Sequence, residues 1–208
     1  DRWYLKNTDY ETMKVMYPNV ANTMAQLIRT AIIPSEGKKF IVADFSAVEA
    51  RALAWLAEEQ WRIDVFNTHG KIYEASAAAA FHVPIETVTK GSALRAQGKV
   101  LELACGYGGS KGAIAAMDRN NDIPEDERKP LVDKWRAASP NIVKFWWRIG
   151  NAAMKAVQNP KQEFKVGKNG ISFYRDQGFL FMDLPSGRRL AYPRPMIREG
   201  KYGPEVTY

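Results

Sequence analysis

The sequence predicts an α+β fold, and three stretches predict it. The apolar run Phe40-Ile41-Val42 leads to an acid, Asp44, and a helical pattern begins at once behind it. From there to about Val157 the chain reads as a large helical block. Beyond Pro160 it changes to short β-rich runs separated by Gly-containing turns. With 208 residues, 46% of them apolar, the chain is long enough to bury a core as one large domain or two small ones.

Taken in order, residues 20–33 place Met24, Leu27, Ile28 and Ile32 at helical spacing. Pro34-Ser35-Glu36-Gly37 is a turn. Residues 38–43 read as a strand with Phe40, Ile41 and Val42 as its buried part. Such a strand would hold Asp44 rigidly at its tip, at the edge of a cleft. Ser46 followed by Glu49 has the capping-box pattern, and Val48, Ala52, Trp55 and Leu56 would form the apolar face of the helix it opens. Residues 61–66 continue amphipathically. An alanine-rich helix at 71–81 is closed by Val83-Pro84, and residues 85–88 form a short helical turn. Ser92 caps a helix running to about Cys105, which Gly106, Gly108 and Gly109 break. Helices follow at 111–117, 125–138 and 142–157, with a polar loop at 120–124. Strands are expected at 163–166, 170–174, 178–182 and 190–192. The last residues, 205–208, also read as strand.

The net charge of +7 favours an anionic partner, nucleic acid before membrane. No apolar run is long enough to span a bilayer, and no membrane partner is expected. Cys105 is the single cysteine, which excludes intramolecular disulfides and cysteine-rich zinc sites and fits a cytoplasmic location. The chain starts at Asp1 without Met and stops in a strand-like stretch, so the expectation is a fragment with segments missing before Asp1 and after Tyr208.

Arg95 and Lys99 lie four residues apart and share one face of their helix. Two cations at that spacing repel, with no acid in the stripe to offset them. An anion between them reverses the sign, and a triphosphate suits a guanidinium fork beside a point charge. On its own this pair reads equally as a solvated basic helix face. The stripe continues through Leu103 to Tyr107, where the glycines admit close approach. Trp146-Trp147, with Ile142, Phe145 and Ile149, read as core.

Asp44-Phe45-Ser46-x-x-Glu49-x-Arg51, followed about fifty residues on by Arg95-x-x-x-Lys99-x-x-x-Leu103-x-x-x-Tyr107-Gly108, resembles motifs A and B of the family A DNA polymerases. Leu27-Ile28-Arg29-Thr30-Ala31 and Leu184-Pro185-Ser186-Gly187-Arg188-Arg189 fall where phage-type members carry such sequences. The resemblance implies a partial palm at 1–66 and a helical fingers subdomain at 67–158 with the motif B helix at about 92–105. It implies a fingers-to-palm return at 159–208. It implies DNA synthesis on template-primer DNA from dNTPs by Mg²⁺-dependent nucleotidyl transfer. Asp44 and the Phe45 carbonyl would be metal ligands. Glu49 would disfavour a 2′-hydroxyl. Arg95 and Lys99 would bind triphosphate, Lys99 also protonating the leaving group. Tyr107 would stack near the templating base and contact Glu49.

Two site positions depart from the family pattern. Leu103 stands where Phe or Tyr is usual, and Tyr73 where His is usual. His69 and His82 are expected to be capping or structural. The second metal-binding carboxylate of motif C has no counterpart, since Asp183 reads as a hairpin residue. The fragment is therefore expected to be inactive alone. The alternatives are a single-subunit RNA polymerase relative, against which Glu49 argues, and a non-catalytic nucleic-acid-binding module.

Overall fold

A computed structural model describes residue 3, residues 7–118 and residues 122–208, with the Ala31 side chain left aside. Part of the polar loop expected at 120–124 therefore lies outside the described residues. The chain divides into two compact units, Asp1–Phe45 and Ser46–Tyr208.

In the first unit, helix α1 (Tyr10–Met16) starts at Asp9, whose carboxylate accepts from the Thr12 N–H at 2.9 Å. Helix α2 (Val20–Leu27) is capped in the same way by Asn19 and continues as a 3₁₀ turn over Ile28–Ala31. The helical spacing of 20–33 is present, yet Met24, Ile28 and Ile32 are exposed while Met13 and Val20 are buried. The strand expected at 38–43 is not formed among the described residues. Ile41 and Val42 are 89% and 90% exposed. A strand is held by a ladder of backbone hydrogen bonds to a neighbour. An apolar run alone supplies no such neighbour. Asp44 and Phe45 thus stand on non-regular, exposed backbone at the end of this unit.

The second unit carries helices α3 (Val48–Ala57), α4 (Gln60–Thr68), α5 (Ile72–Phe81), α6 (Ala93–Gly106), α7 (Lys111–Met117), α8 (Glu125–Ala138) and α9 (Pro140–Gln158). Helix α3 does not begin with the expected capping box. Ala47 sits at the N-cap in the left-handed region, at φ 50° and ψ 41°, with no side-chain cap. The helix therefore starts past Ser46, whose carbonyl accepts from Arg51 Nε at 2.9 Å. The buried face of α3 is also offset from the expected one. Ala54 and Ala57 are buried, while Val48 and Trp55 are half exposed. Small side chains at 54 and 57 let α9 pack against this helix.

The alanines of α5 serve a still closer approach. A Cβ placed on Gly98 of α6 would lie 2.2 Å from the Tyr73 carbonyl oxygen and 2.9 Å from Ala77 Cβ. The two helix backbones meet because one has glycine and the other has alanine there. Leu101, Ala104 and Cys105 of α6 then enter a core shared with Ile114, Ile123, Val132, Trp135 and Ile142. Helix α9 receives a long-range cap, since Glu59 accepts the N–H groups of Asn141 and Ile142 at 2.8 and 3.2 Å.

Beyond α9 an antiparallel sheet runs in the order β1 (Phe164–Val166), β2 (Ile171–Asp176), β3 (Phe179–Asp183), β4 (Arg189–Pro193). Its inner residues Val166, Ile171, Phe173 and Leu180 share the core with Ala152, Ala156 and Val157 of α9. Asp183 pairs with Arg189 across the β3–β4 ladder at 2.6 Å, as a hairpin residue does. The terminal stretch is one arm of a second hairpin, β5 (Met196–Gly200) with β6 (Gly203–Thr207). The first arm of that hairpin is absent from the sequence-based expectation.

Candidate functional site

Helix α6 is the platform. Ser92 caps it, its Oγ accepting from the Arg95 N–H at 3.2 Å. At its far end the N–H groups of Gly108 and Gly109 return to the carbonyls of Cys105 and Ala104 at 2.9 and 3.1 Å. This is a Schellman closure, with Gly108 at φ 74°. A Cβ on Gly109 would meet the Ala104 carbonyl oxygen at 2.4 Å, so this corner admits only glycine. Arg136 Nη2 donates to the carbonyls of Gly108 and Gly109 at 3.3 and 3.1 Å and ties the corner to α8. Tyr107 occupies the cap position just before these glycines and is 67% exposed.

The Tyr107 hydroxyl donates to Glu49 in the first turn of α3. That hydrogen bond, together with slight burial and the carboxylate charge, raises the phenol above its ordinary value. Because the folded pKa is raised, the contact is intact below the unfolded value of about 10 and is lost as pH rises through the folded one. Ring-labelled tyrosine NMR is expected to show Tyr107 titrating above the ordinary range, and Glu49→Gln is expected to bring it down. An unchanged titration in Glu49→Gln would contradict the contact.

A cleft of about 260 Å³ opens between α3, α5 and α6. Glu49, Tyr73, Leu103 and Tyr107 all line it, so four of the sequence-predicted residues converge on one cavity. Arg95 and Lys99 flank the arrangement differently. The Arg95 guanidinium lies 5.6 Å from the centre of the Tyr73 ring, and its Nε donates to Glu74 Oε1 at 2.7 Å. The stripe itself holds no acid, yet this cation is offset. The acid comes from the facing helix α5, outside the stripe. Burial pushes the Glu74 carboxyl up, but the Arg95 hydrogen bond and the positive charges of Arg95 and Lys71 bring it below its ordinary value. The terminal nitrogens of Arg95 make no hydrogen bond to a described residue. Lys99 is exposed and faces a second cleft of about 540 Å³, lined also by Leu103, Asp118 and Asp122. Leu103 borders both clefts.

The floor of the first cleft is a buried polar cluster that sequence reasoning did not find. Arg62 Nη1 donates to both oxygens of Glu102 at 2.8 and 2.7 Å. Ser76 and Trp135 also donate to Glu102 Oε1, the indole at 2.8 Å. The Arg62 Nε and Nη2 atoms reach Ser139 Oγ at 3.2 and 3.0 Å. The guanidinium lies 4.5 Å from the Trp61 ring centre and 4.6 Å from that of Trp135. Beside this cluster, burial and then the Glu102 charge push the Cys105 thiol up to about 12, so it stays protonated.

Asp44 and Phe45 belong to the first unit, and both are exposed. Among the described residues, no group of three or more His, Cys, Asp and Glu converges as a metal site. The Asp44 carboxylate and the Phe45 carbonyl are nevertheless hard oxygen donors. A cation that keeps its own waters and takes one or two carboxylates plus substrate phosphates suits that set, and Mg²⁺ is such a cation. The histidines have local roles. His69 Nδ1 accepts from the Lys71 N–H at 3.0 Å, and His82 ends α5 at φ 55°. No helix among the described residues is long and apolar enough to cross a membrane.

The family model for DNA polymerase family A matches residues 13–160. A DNA polymerase of Bacillus phage SP02 is 52% identical over 207 residues, which is 98% of this chain and 32% of that protein. DNA polymerase I of Geobacillus stearothermophilus is 31% identical over 152 residues, 70% of this chain and 16% of that protein. DNA polymerase I of Pseudomonas aeruginosa is 28% identical over 121 residues, 58% of this chain and 13% of that protein. The chain thus spans about a third of the phage relative's length and less of the others. With the family match covering most of its residues, and its α6 stripe, Glu49 and Tyr107 placed on one surface, the chain belongs to DNA polymerase family A.

Proposed function

We propose that this chain forms the incoming-nucleotide side of a template-directed DNA polymerase. The observation that carries the reading is the convergence of Glu49, Tyr73, Leu103 and Tyr107 on one cleft of α6, with Arg95 and Lys99 on the same helix. The exposed Lys99 ammonium binds triphosphate as a point charge and holds a proton that the leaving pyrophosphate can accept. Arg95, braced by Glu74 through Nε, turns its remaining donors to the same phosphates. Tyr73 positions that guanidinium with its ring face. Glu49, fixed by Tyr107, lies where it crowds a 2′-hydroxyl and so favours dNTP. Leu103 packs against sugar or base without stacking. Asp44 and the Phe45 carbonyl would hold Mg²⁺, which when bound neutralises charge on the attacking 3′-oxygen and the pyrophosphate.

On this reading residues 1–66 are part of a palm, 67–158 are fingers, and 159–208 return toward the palm. The partners are template-primer DNA and dNTP, in the cytoplasm of a bacterial or phage-infected cell. A second metal-binding carboxylate is supplied from outside these residues. The 208-residue chain is therefore expected to bind dNTP in a Mg²⁺-dependent way without extending a primer. Asp44→Ala is expected to abolish the Mg²⁺ dependence. Primer extension by the chain alone would overturn the claim of a second external carboxylate. Unchanged Mg²⁺ dependence in Asp44→Ala would overturn the role of Asp44.

A further inference from the structure

Helix α9 presents two tryptophans in succession to opposite environments. Trp146 turns inward and stacks on Trp135 at 6.1 Å, with the rings 10° from parallel. Trp147 turns outward and is 64% exposed. The expectation that both are core is half corrected, because the inner face of α9 is already filled by Ile142, Phe145, Trp146, Ala152, Ala153 and Ala156. A neighbouring position on a helix points about a quarter-turn away.

Trp147 lies in a basic stripe. Lys144, Trp147, Arg148 and Lys155 are all exposed and recur at helical spacing along one face. The whole of α9 contains no acidic residue. Lys144, Arg148 and Lys155 have no ion-pair partner among the described residues. Beside the stripe is a concave surface of about 460 Å³, lined by Glu58, Asn141, Lys144, Trp147 and Arg148. The one acid on its rim, Glu58, is matched by Lys168 at 3.4 Å. The charge of this surface therefore calls for a polyanion, and its exposed indole calls for a flat apolar group.

We propose that the outer face of α9 is a binding site for single-stranded nucleic acid, with a base stacked on Trp147 and flanking phosphates on Lys144 and Arg148. An unpaired strand fits where a duplex does not, since the faces of paired bases are already stacked and closed to a side chain. The site shares no residue with the α6 surface. It adds to the polymerase reading a place where unpaired strand is held, but it does not depend on nucleotide binding.

The test is fluorescence anisotropy of a labelled oligothymidylate with the full chain across a salt series. Trp147→Ala is expected to weaken binding by about five- to a hundredfold, the range for losing one stacked base. Trp147→Phe keeps a ring and is expected to stay near wild type. Lys144→Ala with Arg148→Ala is expected to reduce the salt slope by about 1.4, for two released contacts. Unchanged melting temperatures in all three variants would confirm that folding is intact, because each side chain is exposed. Binding by Trp147→Ala within about twofold of wild type would overturn the proposal, because losing a stacked base has a larger effect. An equal Trp147→Ala loss on blunt duplex DNA would also overturn it, as would no salt-dependent binding by wild type. Trp147→Ala is expected to bind Mg²⁺-dNTP normally. A wild-type chain that binds no dNTP would count against the nucleotide reading and leave the oligonucleotide result standing.

Discussion

Glu102→Ala is expected to lower the stability of the chain by about 3–5 kcal/mol, the range for removing one partner of a buried ion pair. Arg62 is 1% exposed and Glu102 is 5% exposed, so water cannot replace the missing carboxylate. Three donors would lose their acceptor together: the Arg62 guanidinium, the Ser76 hydroxyl and the Trp135 indole N–H. In a domain of this size that loss corresponds to a fall in Tm of roughly 6–20 °C. Arg62→Met should be comparably harmful, since it leaves Glu102 as an unpaired buried anion. The double variant Arg62→Met with Glu102→Ala should be less destabilised than the sum of the singles, because it leaves neither charge unmatched. Urea midpoints of the four proteins would measure this. Single variants within about 1 kcal/mol of wild type would contradict the buried pair. The same cluster forms the floor of the cleft beneath Leu103 and Tyr107, so its loss is expected to loosen nucleotide binding as well.

Gly98→Ala is expected to be the second large effect, despite replacing the poorer helix former with the better one. Propensity alone would favour alanine by about 1 kcal/mol. The added methyl would lie 2.2 Å from a backbone oxygen of α5, which no rotamer can relieve. Helices α5 and α6 would have to separate, and an overpacked core of this kind costs about 1–3 kcal/mol or more. The separation also moves Tyr73 away from Arg95 and breaks the geometry that holds Glu74 against it. We therefore expect Gly98→Ala to lower both the urea midpoint and dNTP affinity. A stable variant with unchanged affinity would show that the helices are not in contact as described.

Much of the fold was legible because its helices announce themselves through spacing and caps. The sequence pattern predicts helices over 111–117 and 125–138, the bounds of α7 and α8. The cleft residues were legible as a set because motif spacing and helical geometry agree. Other features depend on what meets across space. Arg62 and Glu102 look like surface charges in sequence, forty residues apart, and nothing local marks them as a pair. Glu74 is equally unmarked as the partner of Arg95. Gly98 was open to notice, since a glycine inside a helical run signals a close approach. The segment 38–43 shows the opposite error. Its apolar run fits a strand, but a strand also needs a hydrogen-bonding neighbour. The cap of α3 failed for a backbone reason, because Ala47 adopts a left-handed conformation that the Ser-x-x-Glu pattern does not foretell.

Equilibrium titration of Mg²⁺-dNTP against the wild-type chain, Arg95→Ala and Lys99→Ala bears most directly on the α6 surface. On the proposed reading each side chain contributes a charged hydrogen bond to phosphate, so each loss is expected to weaken binding by about ten- to a hundredfold. Lys99→Ala should do so with no change in melting temperature, since Lys99 is exposed and makes no ion pair with a described residue. Affinity unchanged in both variants would contradict the assignment of α6 as the triphosphate-binding face.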